Sequence, residues 1–235
     1  MSINKKEQLI SDKTKFIFLG LAFLIVFVLS VIYPVLTSPI TGTPLNSIPI
    51  EDVLVNISNN VPLIRLGIFI QMITSLSIIF LAVMLNTVFK DQNKLLAQLA
   101  LGWWLAEAIT IVFEIIGIFA MILLSLEFVE AGTPGDSYYL TFAHFFYSGL
   151  YDYAFIIHNT FFALGAIVWY YLFYKSKIGP KPLAVWGLVS ICLLSISVLF
   201  AVYDPEMSIF LLNIPYIPFE PVIGTWFVYK GIKSV

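Results

Sequence analysis

FIFLGLAFLIVFVLSVIYPVL, Phe16–Leu36, runs for 21 residues without a single charge. A helix needs about 20 mostly apolar residues to cross roughly 30 Å of hydrocarbon, so this stretch is long enough to span a bilayer. Lys5, Lys6, Lys13 and Lys15 precede it, as basic residues precede the core of a signal peptide. A signal-peptide core is about 7–15 residues long and ends at a small-x-small cleavage site. This run is longer and no such site follows, which predicts a retained anchor.

Five further segments read the same way: Val61–Phe89, Leu95–Leu126, Tyr153–Tyr174, Leu183–Tyr203 and Met207–Tyr229. Composition agrees. The chain is 60% hydrophobic and 11% charged, whereas a soluble domain carries about 25% charged residues. That is too little charge to dress a water-facing surface. The expected fold is therefore all-α: a polytopic bundle of six transmembrane helices, with residues 1–235 forming one transmembrane domain in a bilayer. A net charge of −2 gives no reason to expect a nucleic-acid partner. Cys192 is the one cysteine and cannot form an intrachain disulfide.

Lysine placement sets the expected orientation. Besides the N-terminal group, Lys90 and Lys94 lie between the second and third segments, and Lys175, Lys177 and Lys181 between the fourth and fifth. Lys230 and Lys233 follow the sixth. The other connections, Thr37–Asn60, Glu127–Asp152 and Asp204–Glu206, hold no Lys or Arg. Eleven of twelve basic residues thus fall on one side, with Arg65 the exception. Both termini are expected in the cytoplasm and the chain in the cell membrane. Ser137–Asp152 is aromatic and too short to cross. His144, Ser148, Tyr151 and Asp152 share one helical face, with Tyr139, Phe142 and Phe146 largely opposite. That pattern predicts a short outer interfacial helix leading into the fourth span.

Ionisable groups inside a membrane are the default place to look for function. Counted at about 1.5 Å per residue from the flanking lysines, Glu220 comes out roughly 15 Å deep and Glu107 roughly 20 Å. By the same ruler His158 lies near roughly 25 Å, Glu114 near 30 Å and Arg65 near 37 Å. Two layers result. Arg65, Glu114, His158 and Asp152 form an outer polar layer in which Arg65 is expected to pair with Glu114 or snorkel to headgroups. Glu107 and Glu220 lie deeper with no cation at their level, so they are expected to be neutral, sharing a proton or holding a cation if the helices bring them together. Trp103, Glu107, Thr110, Glu114 and Gly117 recur at three- and four-residue steps and predict an inward polar stripe. Gly102 and Ala106 form a small-xxx-small pair that permits close helix approach. Pro215, Pro218 and Pro221 bracket Glu220, with Asn213 about one turn beyond. Each proline removes a backbone donor, which predicts a break in the sixth segment and freed carbonyls. Broken helices beside acidic groups are a feature of transporter sites.

Three stretches carry a family resemblance. MLNTVFKDQNKLLAQLALGWWLAEA, Met84–Ala108, places Glu107 after a basic turn. SKIGPKPLAVWG, Ser176–Gly187, and FEPVIGTWFVYKG, Phe219–Gly231, are the second and third. Together they resemble a bacterial family of six-span proteins known as a domain of unknown function, DUF4386. Gly179 interrupts the family's Ile-Pro pair, and Lys181 stands where the family has Arg. Arg65 also resembles a family arginine. The resemblance implies a fold and a location and no activity.

Motifs for enzymes are missing from the sequence. There is no His-Glu-x-x-His, no Gly-x-Ser-x-Gly, no cysteine pair and no Gly-rich phosphate loop. The two histidines, His144 and His158, lie on one helical stretch and cannot clamp both faces of one haem. No cofactor and no metal site is expected. The reading is a non-enzymatic membrane protein, transporter-like, with a proton- or cation-coupled polar core formed by Glu107, Glu220 and Asn213 and a small solute or ion as ligand. The alternatives are a membrane sensor or assembly scaffold with structural buried carboxyls, and, last, an intramembrane enzyme. Homo-oligomerisation suits a chain this small.

Overall fold

A computed structural model describes residues 2–42, 48–135, 137–204 and 209–233, with side chains placed from residue 13 onward. Asp136, Glu206, Met207 and the side chains of Lys5 and Lys6 lie outside the described residues. All regular structure among the described residues is helical: α1 (Ser2–Thr41), α2 (Ile50–Asn59), α3 (Val61–Phe89), α4 (Lys94–Glu130), α5 (Tyr138–His144), a π-helical segment (Phe145–Asp152), α6 (Tyr153–Ser176), α7 (Lys181–Tyr203), a 3-10 turn (Phe210–Leu212) and α8 (Phe219–Lys233). Five stretches are long and apolar enough to cross a membrane: Lys13–Thr41, Val61–Phe89, Lys94–Glu130, Tyr138–Ser176 and Lys181–Tyr203.

Helix α7 shows why a membrane is the right solvent. Val185, Val189, Ile196 and Leu199 are exposed, while Ser190 and Ser197 are buried with Gly187, Ile191 and Leu194. Large apolar groups face out and hydroxyls face in, the reverse of a helix at a water surface. In hydrocarbon the outward groups need no cover, and the inward hydroxyls find partners within the protein.

Two compact units form, with boundaries inside helices. The first comprises Met1–Val28, Leu76–Glu107 and Asn159–Val235. Here α1 and α8 meet almost backbone to backbone. A Cβ added to Gly20 would sit 2.5 Å from the Gly224 carbonyl and 2.6 Å from the Val228 nitrogen. Phe227 fills the groove beside this contact, stacked between Phe16 and Phe23 at centroid distances of 6.1 and 6.0 Å. A second aromatic layer joins Trp104, Phe162, Trp169 and Phe89. Gly165 makes room for the Trp104 indole and Gly187 for the Phe219 ring.

The second unit comprises Leu29–Ser75 and Ala108–His158. The short α2 buries Val53, Leu54 and Ile57, one face of three turns. Gly67 receives Thr37, and Gly117 lets the backbone of the π segment come close, its hypothetical Cβ 3.3 Å from the Phe146 carbonyl. Tyr147 donates to the Thr41 carbonyl at 2.7 Å, and Asn56 Nδ2 to that of Ile40 at 3.4 Å.

The sixth segment carries the break its prolines predict, and two other expectations differ from this architecture. The sixth segment is no continuous helix: after the 3-10 turn come turns over 213–218, and α8 has only 15 residues. Pro215 and Pro218 have no N–H to continue the ladder, and α8 starts at the residue after Pro218. The helix before the fourth span is not a separate element, since α5, the π segment and α6 follow one another without a break. Finally, nothing lies within 4 Å of a Cβ at Gly102. The buried face of α4 there is carried by Trp104, Glu107 and Ala108, so the close approach falls at Gly20 and Gly224 instead.

Candidate functional site

The buried polar groups gather in two places, one in each unit. In the first unit the broken segment supplies the framework. Three turns of α7 face it with donors at helical spacing. Trp186 Nε1 and Ser190 Oγ both donate to the Pro215 carbonyl, at 3.0 and 3.1 Å. Seven residues on, Ser197 Oγ donates to the Ile209 carbonyl and accepts from the Ile209 nitrogen, each at 3.1 Å. These side chains replace the helix bonds the prolines remove.

Within this frame Glu220 is the second residue of α8, in the first helical turn, where a carboxyl is favoured by the unpaired backbone N–H groups. Pro221 is the third residue, a position where a missing N–H breaks no helical bond. Tyr216 Oη donates to Glu220 Oε1 at 3.0 Å, an i to i+4 contact across the start of the helix. Tyr216 Oη in turn lies 2.5 Å from Tyr170 Oη on α6. With Tyr216 donating to the carboxyl, its oxygen accepts from Tyr170, so the three groups form one directed chain. Tyr170 and Tyr216 are buried. Glu107 is buried on α4 and lies within electrostatic reach of the Tyr170 hydroxyl, as does Glu220. The two carboxyls singled out in the sequence therefore approach the same tyrosine from different helices. Asn213 closes the 3-10 turn. Its Oδ1 is buried without a hydrogen-bond partner, as is Trp169 Nε1.

In the second unit Glu114 is 2% exposed and makes two hydrogen bonds. His158 Nδ1 lies 3.0 Å from Oε1, and Gln71 Nε2 donates to Oε2 at 3.3 Å. Tyr33 and Tyr151, 3.3 Å apart through their hydroxyls, lie within electrostatic reach of the same carboxyl. Arg65, expected to pair with Glu114, is exposed and belongs to no ion pair among the described residues; the pair found there is His158–Glu114. At about 100° per residue, Arg65 is rotated about 240° from Gln71 on α3, so the two cannot face the same carboxyl. Asp152 ends the π segment, half-buried, with Tyr147 within electrostatic reach.

Sequence reasoning missed Gln71, Tyr170, Tyr216, Trp186, Ser190 and Ser197. Three of these had a readable signal: Tyr216 stands four residues before Glu220, and Ser190 and Ser197 repeat at seven residues in a mostly apolar span. Among the described residues no three of His, Cys, Asp and Glu gather as metal ligands.

Compared with known proteins, residues 18–231 match the family model described as a domain of unknown function (DUF4386). No curated protein and no solved structure matches the chain.

Proposed function

Because the chain belongs to the DUF4386 family, a domain of unknown function, its role has to be read from its buried polar groups, and we propose a non-enzymatic, proton-coupled transporter of a small solute or ion. The observation that carries this reading is the chain Tyr170–Tyr216–Glu220 at a helix break, with Glu107 near the same hydroxyl. A carboxyl that hands its proton to a hydroxyl relay is a coupling element, and a broken helix is where transporters place one. The lysine distribution supports a multi-pass arrangement in the cell membrane with both termini cytoplasmic. That arrangement needs a sixth crossing, made by the turns over 209–218 together with α8.

One observation favours the scaffold reading instead: the Pro215 carbonyl already takes two donors from α7, as a purely structural break requires. Infrared spectroscopy of lipid-embedded protein separates the two. The carboxyl C=O bands are assigned with Glu107→Gln and Glu220→Gln and followed over about pH 5–9, where a functional carboxyl works. Coupling predicts a band that responds to bulk pH, and a Glu220 band that moves in Tyr216→Phe because its donor is gone. A band that stays unchanged across that range overturns the transport reading.

A further inference from the structure

Three segments far apart in sequence meet at one end of the first unit. α8 lies on α1 through Gly231, whose hypothetical Cβ would sit 2.9 Å from the Lys13 carbonyl. α8 is also tied to the turn between α6 and α7, where Lys230 Nζ donates to the Ile178 carbonyl at 2.5 Å. The Lys230 ammonium lies 5.0 Å from the Phe16 ring and 5.3 Å from that of Trp226. Around this junction stand Lys13 from α1, Lys177 from the turn, Lys181 from the start of α7, and Lys233 from α8, the last over the Tyr229 ring at 4.8 Å. Lys177, Lys181 and Lys233 are exposed.

Backbone preference does not explain this cluster, and acidic residues are sparse along the segments that carry it. From Lys13 to Phe27, from Lys175 to Tyr203 and from Pro221 to Lys233 the sequence holds no Asp or Glu; Asp12 directly precedes Lys13, its side chain outside the described residues. Lys177 has φ 54°, left-handed backbone that a residue with a Cβ adopts at some strain, although Gly179 stands two positions on. Lys230 is drawn into the fold, where burial lowers its pKa, and it locks the three segments together. The other lysines are left around this junction, flanked by Trp226, Phe16 and Tyr229. Ammonium groups recognise phosphate as point charges, and Trp and Tyr beside them belong to the headgroup level of a membrane protein.

We infer that this junction binds an anionic phosphate group, supplied by a phospholipid headgroup or by free phosphate. The test titrates the detergent-solubilised full chain with short-chain phosphatidylglycerol, phosphatidylcholine and inorganic phosphate, reading saturable binding by native mass spectrometry and the shift in melting temperature. Saturable binding of phosphatidylglycerol but not phosphatidylcholine assigns the site to an anionic lipid, and saturation by inorganic phosphate assigns it to the free ion. Each exposed lysine removed should weaken binding about fivefold, so Lys177→Gln with Lys233→Gln should weaken it roughly 25-fold. Lys177→Arg with Lys233→Arg should keep it. Both double variants should melt with the parent in phosphatidylcholine, since neither touches the Lys230 lock. Saturation by neither probe, or binding that the glutamine pair leaves unchanged, overturns the inference.

Discussion

Replacing Gly20 by alanine is the sharpest test of how α8 is held. The new methyl would lie 2.5 Å from the Gly224 carbonyl and 2.6 Å from the Val228 nitrogen, both backbone atoms that no rotamer change can move. Ordinary contact begins at 3.4 Å, so α1 and α8 must part by about 0.9 Å. Parting them loosens Phe227 from Phe16 and Phe23 and opens the Gly231 contact with Ile17. Overpacking of this kind costs about 1–3 kcal/mol, and two nearest atoms that are both backbone put this site at the upper end. The substitution also gains about 0.5–1 kcal/mol from better helix propensity. The net is a loss of about 2 kcal/mol, or a melting temperature lower by about 4–8 °C for a chain of this size. Gly102→Ala is the control, because its methyl meets nothing within 4 Å; it should be neutral or slightly stabilising. Thermal unfolding of both variants in one detergent gives the comparison. Equal melting temperatures would mean that α1 and α8 do not pack through these glycines.

The α7 donors should show strong coupling. Trp186→Phe or Ser190→Ala alone leaves the Pro215 carbonyl one donor and should cost about 0.5–1 kcal/mol. The two together leave it buried without one, so the double variant should lose about 1–3 kcal/mol beyond the sum; additive losses in a double-mutant thermal-unfolding cycle would argue against a shared acceptor. In the second unit, Glu114→Ala removes the acceptor used by both Gln71 and His158 and should destabilise by about 3–5 kcal/mol. Arg65→Gln should stay within about 0.5 kcal/mol, and a large loss there would restore the expected Arg65–Glu114 pair.

These contrasts mark where the sequence is readable. Rotation about one helix is fixed by residue count: Glu107 and Glu114, seven residues apart, return to within about 20° of one face, and both are buried as the stripe on α4 predicts. The break at Pro215 and Pro218 follows from chemistry local to those residues. Which face meets which is another matter, since it depends on two helices at once. Residue counting along α3 rates Arg65 and Gln71 as equally available to Glu114; only the packed structure selects the neutral amide. Likewise Gly102–Ala106 permits close approach as well as Gly20 does, but approach also needs a matching glycine opposite, and Gly224 provides it. Tyr170 and Tyr216 are 46 residues apart, and nothing local announces their bond.

The identity of those partners has chemical consequences that a depth ruler cannot supply. A carboxyl held by a fixed cation loses that attraction when it takes up a proton. A hydroxyl both donates and accepts, so Tyr216 can bond Glu220 in either state by turning its own hydrogen, and Tyr170 can follow. The Gln71 Nε2 amide only donates, so a proton on Glu114 Oε2 would displace the bond it makes there. A proton on Glu114 is accommodated only at Oε1, where His158 Nδ1 donates or accepts by tautomer, while Glu220 faces a chain of hydroxyls that need only reverse. On these grounds the proposed proton exchange is better served by the Tyr170–Tyr216–Glu220 chain, where no bonded partner of the carboxyl is a fixed donor.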